Sequence, residues 1–404
     1  MALMPVDEAL ALVVAGVVRL SVQSVPVAEA TGRVLAADLW ARRSQPAADM
    51  SAMDGYAVAA ADIAQVPATL RVIGESAAGR PFAGTVAPGE AVRIFTGALL
   101  PTGADTVVIQ ENIAREGDLI TTTAATAPLR NVRKAGFDFP AGSLILPAGR
   151  RLTGRDVMLA AAADHATLDV IARPKVGILQ TGDELVRPGE GRGALSDVVV
   201  SNVYGLAALA RAHGADAVDL GLVGDSLDST RAAIRAAAES GIDVLITSGG
   251  ASVGEHDLIA PALRSEGVTL TVHKIALRPG KPLMFGARGA MRVLGLPGNP
   301  VSAYVGAVLF LVPLLNALQG AATQGPHLRA ARLGCPVRAN DSRVDYMRAT
   351  LSFADDGALV ATPLPIQDSS MLTTLAMADC LLIRPAFAPA GETGDACSVL
   401  QLPS

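Results

Sequence analysis

Residues 244–257 read V-L-I-T-S-G-G-A-S-V-G-E-H-D, so a short apolar run passes directly into a segment of three glycines, two serines and two acids. The run Val244, Leu245 and Ile246 is typical of a buried strand. Glycine at this density costs backbone entropy. The segment therefore forms either an ordinary turn or a concave backbone cradle for a phosphate, with acids placed to hold a metal ion. The neighbouring segments must separate these two alternatives.

The composition predicts a multidomain protein with an aliphatic core. The chain has 404 residues, and a single core rarely grows beyond about 250–300 residues. Half of the residues are hydrophobic and 3% are aromatic, which suits buried parallel strands and alanine-rich helices. The formal net charge of −5 argues against general binding of nucleic acids, which usually requires a basic face.

The cysteines and the apolar segments argue against a disulfide framework, a zinc site and a membrane span. Cys335, Cys380 and Cys397 form no C-x-x-C pair, so we expect neither a disulfide framework nor a zinc site. The N-terminus has early acids and no basic region, which predicts no signal peptide. Residues 301–318 are long and apolar enough for a membrane span, but polar residues and Pro313 interrupt them, so we expect a buried core helix. These features predict a cytoplasmic protein without membrane contact.

The first 172 residues suggest two domains, one of them discontinuous. Residues 1–40 predict a helix over 7–20 followed by extended chain. Residues 41–140 contain short β-branched segments separated by glycine and proline, the pattern of an inserted β domain. Residues 141–172 predict turns and a helix, for which Thr153 is the expected N-cap. We expect this last segment to pack with residues 1–40 as one domain.

The rest of the chain predicts an α/β domain followed by a C-terminal β domain. Strands and helices alternate over residues 173–324, and this order implies a mostly parallel sheet with helices on both faces. Residues 325–404 return to short strands separated by turns. In the α/β domain we predict strands at 175–180, 216–223, 243–247, 269–277 and 293–296, and helices at 202–213, 226–241, 257–266 and 301–318.

Four strand exits of this α/β domain carry glycine together with an acid, an amide or a hydroxyl. Ligands bind at the carboxyl ends of parallel strands, so the four exits predict one shared rim. The exits read T-G-D-E at 181–184, G-D at 224–225, S-G-G-A-S-V-G-E-H-D at 248–257 and P-G-N-P at 297–300. An acid beside a phosphate repels it unless a cation lies between them, so acids and glycines together favour a metal–phosphate site.

The candidate residues of this rim fall into three kinds. Hard oxygen ligands for Mg²⁺ are Asp183, Glu184, Asp225 and Asp257. Hydroxyl donors are Ser201, Ser248 and Ser252, and the backbone cradle comprises Gly249, Gly250, Gly254 and Gly298. Alternatives remain open at this point: Asp225 and Asp257 also stand where helices begin and could serve only as caps, and Asn299 could be a turn residue.

A basic segment, H-K-I-A-L-R-P-G-K-P, follows at residues 273–282. Lys274 and Arg278 are four residues apart on the predicted strand, so both side chains point the same way and could flank an anion. Lys281 falls in the following turn. The alternative is a solvated strand edge. His256 and His273 belong to no cluster of histidine and cysteine, and we interpret both as non-catalytic.

Seven motifs in one order connect the chain to a known family. They read S-A-M-D-G-Y-A, T-G-A-x-x-P-x-G-A-D, T-G-D-E-L, S-N, S-G-G-x-S-x-G-x-x-D, R-P-G-K-P and L-P-G-N-P-V-S-A. Over nearly its whole length the chain resembles the MoeA-type molybdopterin molybdenumtransferases, which include the E domain of gephyrin. The fifth motif alone is shared with MogA/MoaB-like and CinA-like domains, whereas M-D-G-Y-A together with P-G-N-P-V-S is much more specific.

The resemblance implies a definite reaction and assembly. Such enzymes insert molybdenum from molybdate into adenylylated molybdopterin, release AMP and form the molybdenum cofactor, with Mg²⁺ on the phosphates. The resemblance implies an elongated homodimer of four-domain subunits and transient contact with the molybdopterin adenylyltransferase. The site would lie between the α/β domain of one subunit and the D-G-Y domain of the other. Since no nucleophile constellation is found, charge would be stabilised electrostatically and without a covalent protein intermediate.

The resemblance also assigns residues, motif by motif. It places Asp54, Thr96, Arg133 and Asp138 in the D-G-Y domain, Glu184, Asp225 and Asp257 on the nucleotide and metal side, Lys274, Arg278, Pro297 and Pro300 near molybdate or substrate, and Arg348, Ser369 and Ser370 in the C-terminal domain. Lys281, Gly298 and Asn299 are further candidates for substrate binding. Two positions depart from the family pattern. Arg278 replaces a lysine found in some members, and its planar guanidinium spreads the positive charge differently from an ammonium group. Phe137 stands where many members have an acid.

Two other functions compete with this interpretation. One is a different enzyme on the same α/β domain, an adenylyltransferase or a nucleotide pyrophosphatase. The presence of the D-G-Y domain and the C-terminal β domain argues against it. The other is a non-catalytic scaffold that binds receptor peptides, and the intact set of Asp54, Glu184 and Asp257 argues against pure scaffolding.

Overall fold

The computed structural model describes residues 3–191, 193–249, 258–272, 274–323, 325 and 328–402. The chain divides into two compact units. The first unit comprises Met1–Gln23, Gly32–Ala36 and Val170–Ser404, and the second comprises Ser24–Thr31 and Ala37–Asp169. The four-domain boundaries at 40, 140, 172 and 324 stay predictions, because this division into two is coarser.

From residue 3 to residue 171 the chain forms two α-helices and twelve short strands. The helices are α1 (Val6–Val14) and α2 (Gly154–Ala162). The strands are β1 (Val22–Pro26), β2 (Leu39–Trp40), β3 (Met50–Ser51), β4 (Gly55–Val58), β5 (Ala68–Ser76), β6 (Glu90–Ile94), β7 (Thr106–Ile109), β8 (Ile113–Glu116), β9 (Leu119–Thr122), β10 (Val132–Arg133), β11 (Leu144–Leu146) and β12 (Thr167–Ile171).

A six-stranded sheet dominates the second unit. Its order is β7-β4-β6-β5-β9-β8, so the short β-branched segments predicted from the sequence are strands of one sheet. Val58, Ile63, Leu70 and Val108 fill its core. Thr153 caps α2 as predicted, in a capping box with Asp156.

Residues 175–318 form the α/β part of the first unit. Its strands are β13 (Lys175–Thr181), β14 (Leu185–Val186), β15 (Val198–Val199), β16 (Asp216–Val223), β17 (Val244–Ser248), β18 (Thr269–Val272), β19 (Leu277–Arg278), β20 (Met284–Arg288) and β21 (Met291–Leu296). Its helices are α3 (Asn202–Ala212), α4 (Leu227–Glu239), α5 (Ile259–Ser265), α6 (Pro300–Gly306) and α7 (Val312–Leu318).

The predicted parallel sheet is confirmed. Its order is β16-β13-β17-β21-β20-β18, with parallel pairing from β16 to β21 and antiparallel pairing of β20 and β18 at one end of the sheet. Successive residues of a strand face opposite sides. Ile178 packs into the core that contains α3, α6 and α7, and Leu179 packs into the core that contains α4 and α5. Helices therefore cover both faces.

The apolar segment Pro300–Leu318 is a core helix, as predicted. It runs through α6, one π-helical turn at Ala307–Leu311 and α7. It is long and apolar enough to cross a membrane, but 83% of it is buried inside the protein. The wide turn ends at Leu311, shortly before Pro313, which has no N–H for the regular helical bond.

The C-terminal segment forms most of a third six-stranded sheet. Its elements are β22 (Leu328–Leu333), β23 (Val344–Phe353), β24 (Leu359–Pro363), α8 (Leu372–Ala376), β25 (Cys380–Arg384) and β26 (Ala396–Gln401). The order is β19-β23-β24-β22-β26-β25, and β25 also pairs with β23. The predicted fold class of mixed α/β and β domains is confirmed.

The predicted strand at 269–277 is wrong, because the structure has two strands there. β18 ends at Val272, and β19 joins the C-terminal sheet instead. Between them the backbone pairs with the N-terminus: Met4 N donates to Lys274 O at 3.1 Å, and Ala276 N donates to Met4 O at 2.8 Å. Lys274 and Arg278 therefore do not lie on one strand, and the argument that both face one side fails.

The predicted helix over 7–20 is shorter in the structure. α1 ends at Val14, since Ala15 is extended and Gly16 has a φ of +61°. Leu20 N then donates to Leu318 O at 2.9 Å. The apolar stripe continues past the helix because Val17 and Leu20 still pack against the core. The antiparallel strand β20 was not predicted.

Candidate functional site

A cleft of about 760 Å³ lies at the carboxyl ends of β13, β16, β17 and β21. All four strand exits predicted to share a rim contribute to its wall. The predicted residues that line it are Glu184, Ser201, Asp225, Ser248, Gly249, Pro297, Gly298, Asn299, Pro300 and Ser370. Parallel pairing brings these segments together, since it places all four exits at one edge of the sheet.

The exit of β17 requires glycine at position 249. Gly249 has a φ of +103°, and a Cβ there would lie 2.4 Å from Thr181 O. A side chain would collide with the neighbouring strand exit. Ser248, directly before it, is buried, and its hydroxyl donates to Pro297 O at 3.3 Å. The adjoining residues Gly250, Ser252, Gly254 and Asp257 lie outside the described residues.

Asn202 joins three walls of the cleft, and sequence reasoning missed it. Its Nδ2 donates to Ser248 Oγ at 2.8 Å and to Gly298 O at 2.9 Å. The side chain stands at the first position of α3, directly after Ser201. The S-N dipeptide was the available signal, but only its serine was selected.

Two acidic loops are tied to each other at the rim. Asp225 N donates to Asp183 Oδ1 at 3.0 Å, and Asp183 N approaches Asp225 Oδ2 at 3.5 Å. The described lining carries the carboxylates of Glu184 and Asp225 and contains no lysine or arginine. A phosphate bound here needs a cation between it and these acids.

The donor set fits Mg²⁺. Mg²⁺ is usually held by one or two carboxylates together with waters and substrate phosphates. Among the described residues no group of three His, Cys, Asp or Glu side chains is close enough to hold a metal. Glu184 and Asp225 supply two carboxylates at the cleft, and the third predicted ligand, Asp257, is not described.

Two buried polar groups of the cleft have no hydrogen-bond partner among the described residues. They are Gln180 Nε2 and Thr181 Oγ1, at the end of β13. Gln180 is 3% exposed. An unpaired buried donor costs about 1–3 kcal/mol, which a bound ligand can recover. Nothing in the sequence distinguished these residues from ordinary strand positions.

The predicted basic residues do not line the described part of the cleft. Lys274 is half-buried and Lys281 is exposed. Arg278 is already engaged, since it donates to Asn340 Oδ1 at 2.6 Å and lies 3.0 Å from Asp345 Oδ2. Its guanidinium also pairs with Asp341 at 3.4 Å. Arg343 and Arg278 together hold the pKa of Asp341 down at about 2.

Arg348 does not line the described cleft, but it hydrogen-bonds to the loop whose Ser370 does. It is 1% exposed, and its Nη2 donates to Asp368 O at 3.0 Å. Burial lowers the pKa of its guanidinium. Asp368 Oδ1 accepts from Ser370 N at 2.8 Å and from Ser370 Oγ at 2.6 Å. Ser369 Oγ accepts from Asn299 Nδ2 at 2.9 Å, which fastens this loop to the P-G-N-P exit.

In the second unit the structure brings Asp54 and Thr96 together. Asp54 Oδ1 accepts two hydrogen bonds from Thr96, one from N at 2.7 Å and one from Oγ1 at 2.8 Å. Both bonds hold the pKa of Asp54 below its ordinary value, and the bond from the backbone N–H has the larger effect. The carboxyl group is therefore an anion at neutral pH.

Arg133 and Asp138 are not hydrogen-bonded to each other among the described residues. Arg133 belongs to β10, opposite Met50, and is exposed. Asp138 is exposed, and its backbone N donates to Gln45 O at 2.9 Å. Within the described ranges no hydrogen bond joins the two side chains. Phe137, where many members of the resembled family have an acid, is also exposed.

Three family models match successive parts of the chain. The MoeA N-terminal region (domain I and II) matches residues 4–163. A probable molybdopterin binding domain matches residues 177–317, which include the cleft. The MoeA C-terminal region (domain IV) matches residues 330–402.

Curated relatives and a solved structure agree with these matches. Molybdopterin molybdenumtransferases of Nostoc sp. and Haemophilus influenzae are 34% and 35% identical, covering 93% and 90% of this chain and 87% and 91% of the relatives. The crystal structure of a MoeA protein from Pyrococcus horikosii superposes with a TM-score of 0.84 at 30% identity, covering 100% of both chains. This chain belongs to the MoeA-type molybdopterin molybdenumtransferase family.

Proposed function

We propose that this protein transfers molybdenum from molybdate into adenylylated molybdopterin and releases AMP. The observation that carries the proposal is the convergence of four strand exits on one acid-lined cleft in the segment matched by the molybdopterin-binding model. The cleft is large enough for a pterin and its phosphates, since small-molecule sites measure about 300–1,000 Å³.

Within this cleft the described residues divide into acids and neutral donors. Glu184 and Asp225, with Asp257, would hold Mg²⁺, which when bound neutralises the phosphoanhydride charge. Gln180 Nε2 is available to the ligand, and Asn202 keeps the exits of β17 and β21 at a fixed separation. Leu185, Val198, Val199 and Leu372, from β14, β15 and α8, supply apolar surface to the wall of the cleft.

Molybdate is a tetrahedral dianion and needs a local cation. Arg278 is an unfavourable choice, because Asp341 and Asp345 already offset its charge. Lys274 has no ion pair within the described ranges. We therefore assign molybdate binding mainly to Lys274, with the buried Arg348 holding the loop of Ser369 and Ser370.

The assembly is part of the proposal. We propose a cytoplasmic homodimer in which Asp54 and Thr96 of one subunit complete the cleft of the other, with Arg133 and Asp138 beside them. Transient contact with a molybdopterin adenylyltransferase would deliver the adenylate. Support for these points comes from the family, and sedimentation at several protein concentrations tests the dimer directly.

The direct test is incubation with adenylylated molybdopterin, Mg²⁺ and molybdate. We expect release of AMP and formation of a cofactor that reconstitutes a molybdenum enzyme. Glu184→Gln and Asp225→Asn should reduce AMP release by at least about tenfold, as loss of transition-state electrostatics does. AMP release at the parental rate by both variants would contradict the proposed site. Consumption of ATP with free molybdopterin would support the adenylyltransferase alternative.

A further inference from the structure

Arg93, on the strand that leads to Thr96, contacts two aromatic rings through its guanidinium. Its guanidinium carbon lies 5.1 Å from the centre of the Tyr56 ring and 4.8 Å from the centre of the Phe95 ring. Tyr56 is the residue opposite Arg93 in the antiparallel pair of β4 and β6. Side chains of directly opposed residues share one face of the sheet, so the register itself places the ring beside the guanidinium.

The guanidinium also makes two hydrogen bonds that flank Asp54. Nη1 donates to Gly55 O at 3.1 Å, and Nη2 donates to Gln110 Oε1 at 2.7 Å. Gln110 in turn donates its backbone N–H to Asp54 O at 3.2 Å. The backbone is therefore held on both sides of the peptide bond that follows Asp54.

The surroundings leave little freedom to these contacts. A Cβ on Gly55 would lie 2.0 Å from Val108 O, so β4 and β7 approach closely just after Asp54. Arg93 and Thr96 lie on one short segment, β6 and its exit, while Asp54 immediately precedes β4. A displacement of Arg93 would shift the two elements that carry the donor and the acceptor.

We propose that Arg93 is a positioning residue that holds the Asp54 carboxylate and its Thr96 donors in register for the transfer reaction. The inference rests on the proposed function, in which Asp54 takes part in that reaction. Arg93 acts through Gly55, Gln110 and its positive charge. After the two hydrogen bonds from Thr96, the charge of Arg93 is a further cause that lowers the pKa of Asp54.

The test compares Arg93→Gln, Arg93→Lys and the parent in AMP release as a function of pH. Misplacing a reacting group by about 1 Å costs up to about 100-fold in rate, so Arg93→Gln should lower kcat by about 10- to 100-fold with little change in KM. Losing the positive charge also raises the pKa of Asp54, so the acid limb of the profile should move to higher pH. Arg93→Lys restores the charge but not the planar set of guanidinium donors. The acid limb of its pH profile should therefore match that of the parent, while kcat recovers only in part.

A matched control separates positioning from stability. Arg71→Gln breaks an exposed ion pair with Glu90, at 2.7 Å, on the same sheet. It should leave kcat and the acid limb unchanged. If Arg93→Gln lowered only the melting temperature and kept the parental kcat and pH profile, Arg93 would be purely structural and the inference would be wrong.

The Asp54→Asn variant keeps the two proposals distinguishable. An inactive Asp54→Asn beside a fully active Arg93→Gln overturns the role of Arg93 and leaves the proposed function intact. A fully active Asp54→Asn overturns the role of Asp54 in the proposed function, whatever Arg93→Gln does.

Discussion

At the scale of single residues, Thr96 shows how neighbouring hydrogen-bond donors lower the pKa of the Asp54 carboxyl group. Thr96→Val removes the Oγ1 donor to Asp54 and keeps the backbone donor. The pKa of Asp54 is lowered in the native protein, so losing one bond should raise it. If the reaction needs the ionised carboxylate, the acid limb of AMP release moves to higher pH. Thr96→Ser keeps a hydroxyl and should retain the parental limb, and identical limbs in all three proteins would disprove the link.

A second prediction at this scale separates two basic residues. Lys274→Ala should raise the KM for molybdate by about tenfold, the effect expected for losing one charge-assisted contact of about 1.4 kcal/mol. Binding of the pterin adenylate should change much less. Arg278→Ala should instead lower the melting temperature, because it leaves the half-buried Asp345 without this ion pair. Equal loss of molybdate use in both variants would contradict this division.

At the scale of elements, the exit of β17 depends on the shape of its backbone. Gly249→Ala would put a Cβ 2.4 Å from Thr181 O at a φ of +103°. We expect loss of most AMP release and a lower melting temperature. Gly117→Ala is the control, because Gly117 has a φ of +61° with no atom near its Cβ. It should cost about 1–2 kcal/mol of stability from φ alone and leave activity unchanged. Parental activity in Gly249→Ala would show that the exit tolerates a side chain.

The pair α4 and α5 offers a pH-dependent test of stability. Glu266, in the turn after α5, accepts hydrogen bonds from Arg231 at 3.0 Å and from Arg235 at 2.8 and 3.0 Å on α4. These bonds lower the pKa of Glu266 to about 2. Its contribution to stability is therefore complete above the ordinary glutamate pKa of about 4.3 and is lost as pH falls toward 2.

Thermal unfolding of Glu266→Gln at several pH values measures this contribution. The variant should melt a few degrees below the parent at pH 7, and the gap should narrow below about pH 4.3. Asp228→Asn is the control, because Asp228 is exposed and lies 3.9 Å from Arg231, a geometry that contributes little. A gap that stays constant down to pH 3 would contradict the ion-pair explanation.

Elements with local signals could be predicted from the sequence, and elements fixed by distant contacts could not. Strand β13 and the Thr153 cap could be predicted because their signals lie in neighbouring residues of the sequence. The break between β18 and β19 depends on pairing with Met4, about 270 residues away in sequence. The candidate site divides in the same way. The meeting of the strand exits could be predicted, because it follows from the parallel order of the strands. The roles of Asn202 and Gln180 depend on side-chain packing across separate segments.

At the scale of the whole molecule, the two compact units carry different parts of the proposed site. The acid-lined cleft belongs to the first unit, and the Asp54–Thr96 pair belongs to the second. The proposed homodimer makes these parts meet across subunits. Closed dimers are two-fold symmetric, so each dimer would contain two equivalent sites, each built from both chains.

Under the proposed homodimer, two variants that are each expected to be inactive should therefore complement each other. Asp54→Asn removes the carboxylate that a subunit contributes to its partner's cleft. Glu184→Gln removes a carboxylate from the subunit's own cleft. Co-expressed with different tags and purified through both tags, the mixed dimer contains one site with both lesions and one with none. It should release AMP at about half the parental rate per dimer, because one of two equivalent sites is intact. Each homodimeric variant serves as its own inactive control. A mixed dimer as inactive as both homodimers would place the complete site within one subunit.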